Sequence, residues 1–183
     1  FMALHAETTD KLMMYGSNGR FYTLAANDLP GGRGLGEPVR LMVDLPIDAA
    51  IIDLFPWREG AKYLLASKAG DGFIVGAGDI MAQTRSGKQV LNGDALLCRA
   101  VAGDHVVTVG ENRKMLVFAL DELPEMGRGK GVRLQKFKDG GLSDAICITL
   151  AEGLRWQETG GRTRSEPDLT AWLGKRAGAG YMA

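Results

Sequence analysis

The chain has 183 residues, 45% of them hydrophobic, with 22 basic and 22 acidic side chains. That apolar share excludes a disordered chain, and a formal charge of zero gives no global bias toward polyanions. Gly numbers 26 but Pro only 6, which excludes a Pro-rich low-complexity chain and points to tight turns between short strands.

The N-terminal residues 1–8 begin at Phe1 in mid-pattern, as a piece of a longer protein would, and read as one unpaired strand. Residues 12–30 (LMMYGSNGRFYTLAANDLP) are two apolar runs around a Gly-bearing polar turn, the signature of a β-hairpin. Residues 31–45 (GGRGLGEPVRLMVDL) follow as a small, basic loop leading into an expected strand, and a further apolar run, AAIIDLF, comes next.

The pattern then recurs. Residues 63–81 (YLLASKAGDGFIVGAGDIM) and 106–124 (VVTVGENRKMLVFALDELP) repeat the hairpin. Residues 83–92 (QTRSGKQVLN) and 126–138 (MGRGKGVRLQKFK) repeat the basic loop and strand, and ALLCRAV and AICITL repeat the last run. Each unit therefore holds about four strands, the size of one propeller-like blade. The units are expected at 11–60, 61–104 and 105–150. A partial unit at 151–183 contains a strand (GLRWQ), a turn (GGRTR) and a short helix-like end. Residues 1–8 are the candidate strand to complete that last unit, close a ring and remove an open sheet edge. The fold class is all-β.

Composition along the units is uneven. Residues 83–92 hold Arg85 and Lys88 with no acid, and residues 126–138 hold Arg128, Lys130, Arg133, Lys136 and Lys138 with no acid. The first window, 31–45, mixes Arg33 and Arg40 with Glu37 and Asp44. Segregation of this kind, in a chain of zero net charge, is the footprint expected of a phosphate-binding rim, and ordinary solvated surface charge accounts for it equally well. These nine cations are the candidate DNA-binding residues. Alternation of apolar and polar residues slips near Lys136, which predicts a β-bulge at Gln135–Lys136.

Other motifs carry less. The loop at 31–36 (GGRGLG) lacks the GxxxxGK[ST] form and the flanking strand and helix of a nucleotide loop, so its glycines are read as turn residues. Cys98 and Cys147 lie in apolar runs and read as buried, reduced thiols; without a signal peptide or disulfide framework, the expected compartment is the cytosol. His5 and His105 have no metal-ligand or catalytic spacing around them. Trp57, Trp156 and Trp172 are expected as core plugs or caps, and Tyr15, Tyr22 and Tyr63 as core or cross-strand residues.

The two-part unit resembles the blades of the β-pinwheel family, the C-terminal domains of DNA gyrase A and topoisomerase IV A subunits. The runs LPGGRGLGEPVRLM, RSGKQVLN, GENRKMLVF, GRGKGVRLQKFKDGGLSD and the tail LTAWLGKRAGAG carry the likeness, which spans nearly the whole chain and is nearer to topoisomerase IV A. The Gln-Arg-Arg-Gly-Gly-Lys-Gly box of gyrase is degenerate here, in GGRGLGE, QTRSGKQ and MGRGKGV. The resemblance implies sequence-nonspecific binding and bending of double-stranded DNA on the blade rim, with weaker wrapping than gyrase and a role in substrate choice during decatenation and relaxation. It implies as partners DNA, an ATPase B subunit, and the N-terminal part of the polypeptide to which such a domain belongs. It places the cleaving tyrosine in the breakage–reunion region outside this chain and assigns ATP and Mg²⁺ to the parent enzyme, leaving no cofactor for these residues. A bacterial cytoplasmic, nucleoid-associated location goes with it. From the residues alone, a propeller-type protein-interaction module suits the repeats equally well.

Overall fold

The structure, a computed structural model, describes residues 2–183. Its strands run in chain order as β1 (Lys11–Gly16), β2 (Arg20–Ala25), β3 (Ile51–Pro56), β4 (Lys62–Ser67), β5 (Asp71–Gly76), β6 (Lys88–Gln89) and β7 (Ala95–Ala100). There follow β8 (His105–Gly110), β9 (Lys114–Ala119), β10 (Val132–Arg133), β11 (Leu142–Ile148), β12 (Leu154–Gln157), β13 (Thr163–Glu166) and β14 (Tyr181–Met182). The all-β expectation holds; the one α-helix among the described residues is a four-residue turn at Ala77–Ile80.

Three hairpins form the middle of three four-stranded sheets, ordered β3-β1-β2-β6, β7-β4-β5-β10 and β11-β8-β9-β14. Their registers are superimposable, with Leu12 opposite Leu24, Tyr63 opposite Val75, and Val106 opposite Phe118. The turns match as well. In each, the amide of the last turn residue donates to the carbonyl that opens it: Gly19 to Gly16, Gly70 to Ser67, and Arg113 to Gly110. All three of those last residues take the left-handed conformation, which glycine adopts freely and Arg113 (φ 62°) does not. A register shift recurs at one place in each sheet, next to Gly16, Ser67 and Leu142.

β3 packs against β7, and β7 against β11, so these strands gather on the inside of the array and β6, β10 and β14 lie at the outer edges. Both faces of each hairpin are covered. Met13, Tyr15, Tyr63 and Leu65 pack between the first two sheets, and Leu64, Ala66, Val106 and Leu116 between the second and third. This is why the hairpin strands read as continuous apolar runs rather than alternating ones. Tyr15 and Tyr22 are fully buried and Tyr63 nearly so, as expected; Tyr15 stacks on Phe21 with ring centroids 4.4 Å apart.

Several expectations need correction. Each four-stranded sheet is not made by one unit: its outer strand comes from the next unit along the chain, β6 on the first sheet, β10 on the second and β14 on the third. Residues 31–45 contain no strand, only a short 3-10 turn at Val39–Leu41. The expected bulge at Gln135–Lys136 is a bend: β10 stops at Arg133, and Leu134 and Gln135 are both fully buried. Residues 2–8 carry no strand and do not close the tail unit, and Phe1 lies outside the described residues. The tail unit is the two-stranded sheet β12-β13, packed on the third sheet through Leu154.

Trp57 and Trp172 fit the reading as caps, their indole N–H groups donating to the carbonyls of Ala77 (2.8 Å) and Met182 (3.0 Å), whereas Trp156 is exposed on β12. Cys98 and Cys147 are buried free thiols. His105 opens β8, partly covered, with Nδ1 2.8 Å from Asp104.

Candidate nucleic-acid interface

The outer edges are built by one device used three times. A glycine with positive φ stands immediately before each outer strand: Gly87 (72°), Gly131 (80°) and Gly180 (73°). A Cβ on Gly87 would sit 2.7 Å from the Phe21 carbonyl oxygen, and one on Gly180 would sit 2.7 Å from that of Met115. On Gly131 it would land on the carbonyl oxygen of Gly72, the corresponding residue of the second sheet. Each glycine thus lets the incoming backbone lie directly on the hairpin it joins, and the loop preceding it is carried out to the edge. The third copy lies in the run KRAGAGYM, at the end of TAWLGKR, the segment expected to be a short helix-like end. Its Gly-x-Gly before Tyr181 is the signal that identifies it.

The basic candidates fall into three groups on this frame. Arg128, Lys136 and Lys138 are exposed and have no ion-pair partner among the described residues, as does Arg33 in the loop at 31–38. Lys136 and Lys138 flank Phe137, whose ring packs over Gly70 and Gly110 at the turns of the second and third hairpins. That packing fixes the backbone of the two lysines at the seam between the blades.

A second group holds the fold together. The guanidinium of Arg40 donates to the carbonyls of Leu45 (3.0 Å), Pro46 and Ala49 (2.9 Å). Arg85 donates to the Leu41 carbonyl at 2.6 Å and lies 3.7 Å from Asp44. Arg40 thus closes residues 40–49 on themselves, and Arg85 braces that segment against the next unit. Lys88 is half-buried in β6, opposite Phe21.

The third group is a triad. Arg133 Nε lies 3.0 Å and Lys130 Nζ 3.3 Å from the two oxygens of Asp71, which is almost fully buried. Both cations remain exposed, so the basic window keeps only part of its formal charge. Arg20 lies outside the basic windows of the sequence, yet it donates to Ser86, Gly87 and Gln89 and fastens β6 to the first hairpin.

Residues 104–145 match the family model described as the DNA gyrase C-terminal domain, beta-propeller. Over 180 residues the chain is 47% identical to the A subunit of DNA topoisomerase 4 from Caulobacter vibrioides, covering 97% of this chain and 24% of that protein. The chain belongs to the family of gyrase A and topoisomerase IV A C-terminal domains. The corresponding protein of Rickettsia bellii is 42% identical over 183 residues, 98% of this chain and 25% of that protein. The chain therefore spans about a quarter of the length of these curated relatives. The solved C-terminal domain of E. coli ParC shares the fold, with a TM-score of 0.87 at 24% identity over 100% of this chain and 80% of that one. The gyrase A C-terminal domain aligns with a TM-score of 0.69 at 18% identity, covering 96% of this chain and 60% of that one. The repeated sheets with exchanged outer strands are thus the β-pinwheel of this family. No helix among the described residues is long and apolar enough to cross a membrane.

Proposed function

We propose that this domain binds double-stranded DNA along its outer rim without reading its sequence, and bends it as part of a topoisomerase IV A protein. The observation that carries the reading is the placement of Arg128, Lys136 and Lys138. They are three exposed cations without acidic partners among the described residues, held at the rim by an outer strand and by Phe137 wedged between two turns. Phosphates are the ligand suited to such charges, because the rim carries short loops and two-residue strands rather than a helix or long ribbon able to enter the major groove. In the parent enzyme the domain presents a bent segment to a catalytic core elsewhere in the same polypeptide, which sets the choice among catenated and supercoiled substrates. The same reading gives it two protein partners, the rest of that polypeptide and an ATPase B subunit, and makes the bacterial cytoplasm its location. It leaves cleavage, ATP and Mg²⁺ to those other parts.

Reversing Arg128, Lys136 and Lys138 to Glu tests the reading by a salt titration of duplex binding. Each lost phosphate contact should flatten the log–log salt slope by ~0.9, equally for unrelated duplexes. A slope unchanged by the triple reversal would refute it.

A further inference from the structure

Four residues occupy one equivalent place, directly after the left-handed residue of each hairpin turn: Arg20, Asp71, Lys114 and Arg162, following Gly19, Gly70, Arg113 and Gly161. Three of the four are basic. The exception, Asp71, is also the buried one, with a side chain only 5% exposed.

Its surroundings show what it does. Arg133 Nε at 3.0 Å and Lys130 Nζ at 3.3 Å face its two oxygens, although their side chains are 43% and 68% exposed. Arg133 is further held by donating from Nη1 to the Ala69 carbonyl at 2.8 Å. The oxygen facing Lys130 has no hydrogen-bond partner, so the lysine's charge is its chief compensation. By contrast, Arg20 is held only by neutral acceptors, and no ion pair involves Lys114 or Arg162 among the described residues.

We propose that Asp71 is a built-in brake on phosphate binding at the second blade, an inference that rests on the duplex-binding reading above. If Lys130 and Arg133 turned to a phosphate, a buried carboxylate would be left uncompensated and facing the negative charge of DNA. Breaking a buried pair by removing a partner is strongly unfavourable. The triad therefore withholds two of the five cations in residues 126–138. Contact falls instead to Arg128, Lys136 and Lys138 around them and to the other blades, and the outer strand of the second blade contributes less than its formal charge. Asp71 thus tunes how far DNA follows the rim, at a position where the other blades carry a cation.

The test compares Asp71→Asn, Lys130→Gln and the double variant in the full 183-residue chain, with a random-sequence duplex as probe. Asp71→Asn should bind several-fold tighter at a fixed salt concentration and steepen the salt slope by ~0.9 for each cation released. Lys130→Gln should change little alone but remove part of the gain in the Asp71→Asn background. Equal or weaker binding by a folded Asp71→Asn variant overturns the proposal, because Asp71 would then only fasten β10. Should that variant fail to fold, Lys130→Gln alone still decides: a slope flattened by ~0.9 shows that Lys130 already contacts phosphate and there is no brake, whereas an unchanged slope supports it. A wild-type chain that binds no duplex in a salt-dependent way overturns the duplex-binding reading itself, an outcome distinct from the others.

Discussion

At the scale of single residues, the glycines and the charges carry different information. Gly131 and Gly36 both have positive φ, yet a Cβ on Gly131 would meet a backbone carbonyl while one on Gly36 would meet nothing within 4 Å. Both alanine variants bear the left-handed penalty of roughly 1–2 kcal/mol, and Gly131→Ala adds an overpacking cost of about 1–3 kcal/mol. Urea denaturation should therefore show Gly131→Ala clearly less stable than Gly36→Ala, and equal losses would contradict the docking role. Arg113 sits where the other hairpins use glycine, so Arg113→Gly should stabilise the chain by about 1 kcal/mol in the same assay. The sequence reveals the turn in GENRK but not that its arginine is left-handed, because an Asn-Arg pair also suits ordinary turns. It reveals the cations too, but not which are engaged. Arg40 and Arg85 look the same in sequence as Arg128, and only the fold shows that carbonyls of residues 41–49 occupy them.

At the scale of elements, legibility follows sequence distance. The three hairpins are readable because each is a local pairing with apolar strands and a polar turn. The outer strands are not assignable to their sheets. Each pairs over only two residues with a hairpin of the preceding unit, and a pair that short has no periodicity of its own. Residues 31–38 share small residues and a left-handed glycine with the loops before β6 and β10, yet form no strand. A strand needs a partner edge, and composition cannot supply one. β14 should accordingly protect the third blade alone. Truncation after Ala179 should speed amide hydrogen exchange in β9 while leaving β1 and β4 protected. Uniform loss of protection would mean that the sheets do not behave as separate units.

At the scale of the molecule, a net charge of zero conceals segregation. Acids are placed to cap and brace. Asp10 is bonded by Arg58 and the Glu7 N–H, Asp104 by His105 and the Leu150 N–H, and Asp168 by the hydroxyl and N–H of Thr170; each is held below the ordinary carboxylate range by those bonds. A lowered carboxylate contributes stability that is complete above its unfolded value and is lost as pH falls through the folded one. Thermal midpoints should therefore be flat around neutrality and fall below about pH 4. Burial pushes the Cys98 and Cys147 thiols up, so both should resist thiol reagents at neutral pH until the chain is unfolded.

The central claim is that phosphates, not bases, are what the rim recognises. Its most direct measurement is the affinity of the unaltered chain for two unrelated duplexes over a range of salt. Both should weaken along one steep line on log–log axes, with a slope of ~0.9 per phosphate contact and the same affinity at every salt concentration. A salt-independent affinity, or a persistent preference for one duplex, would contradict it.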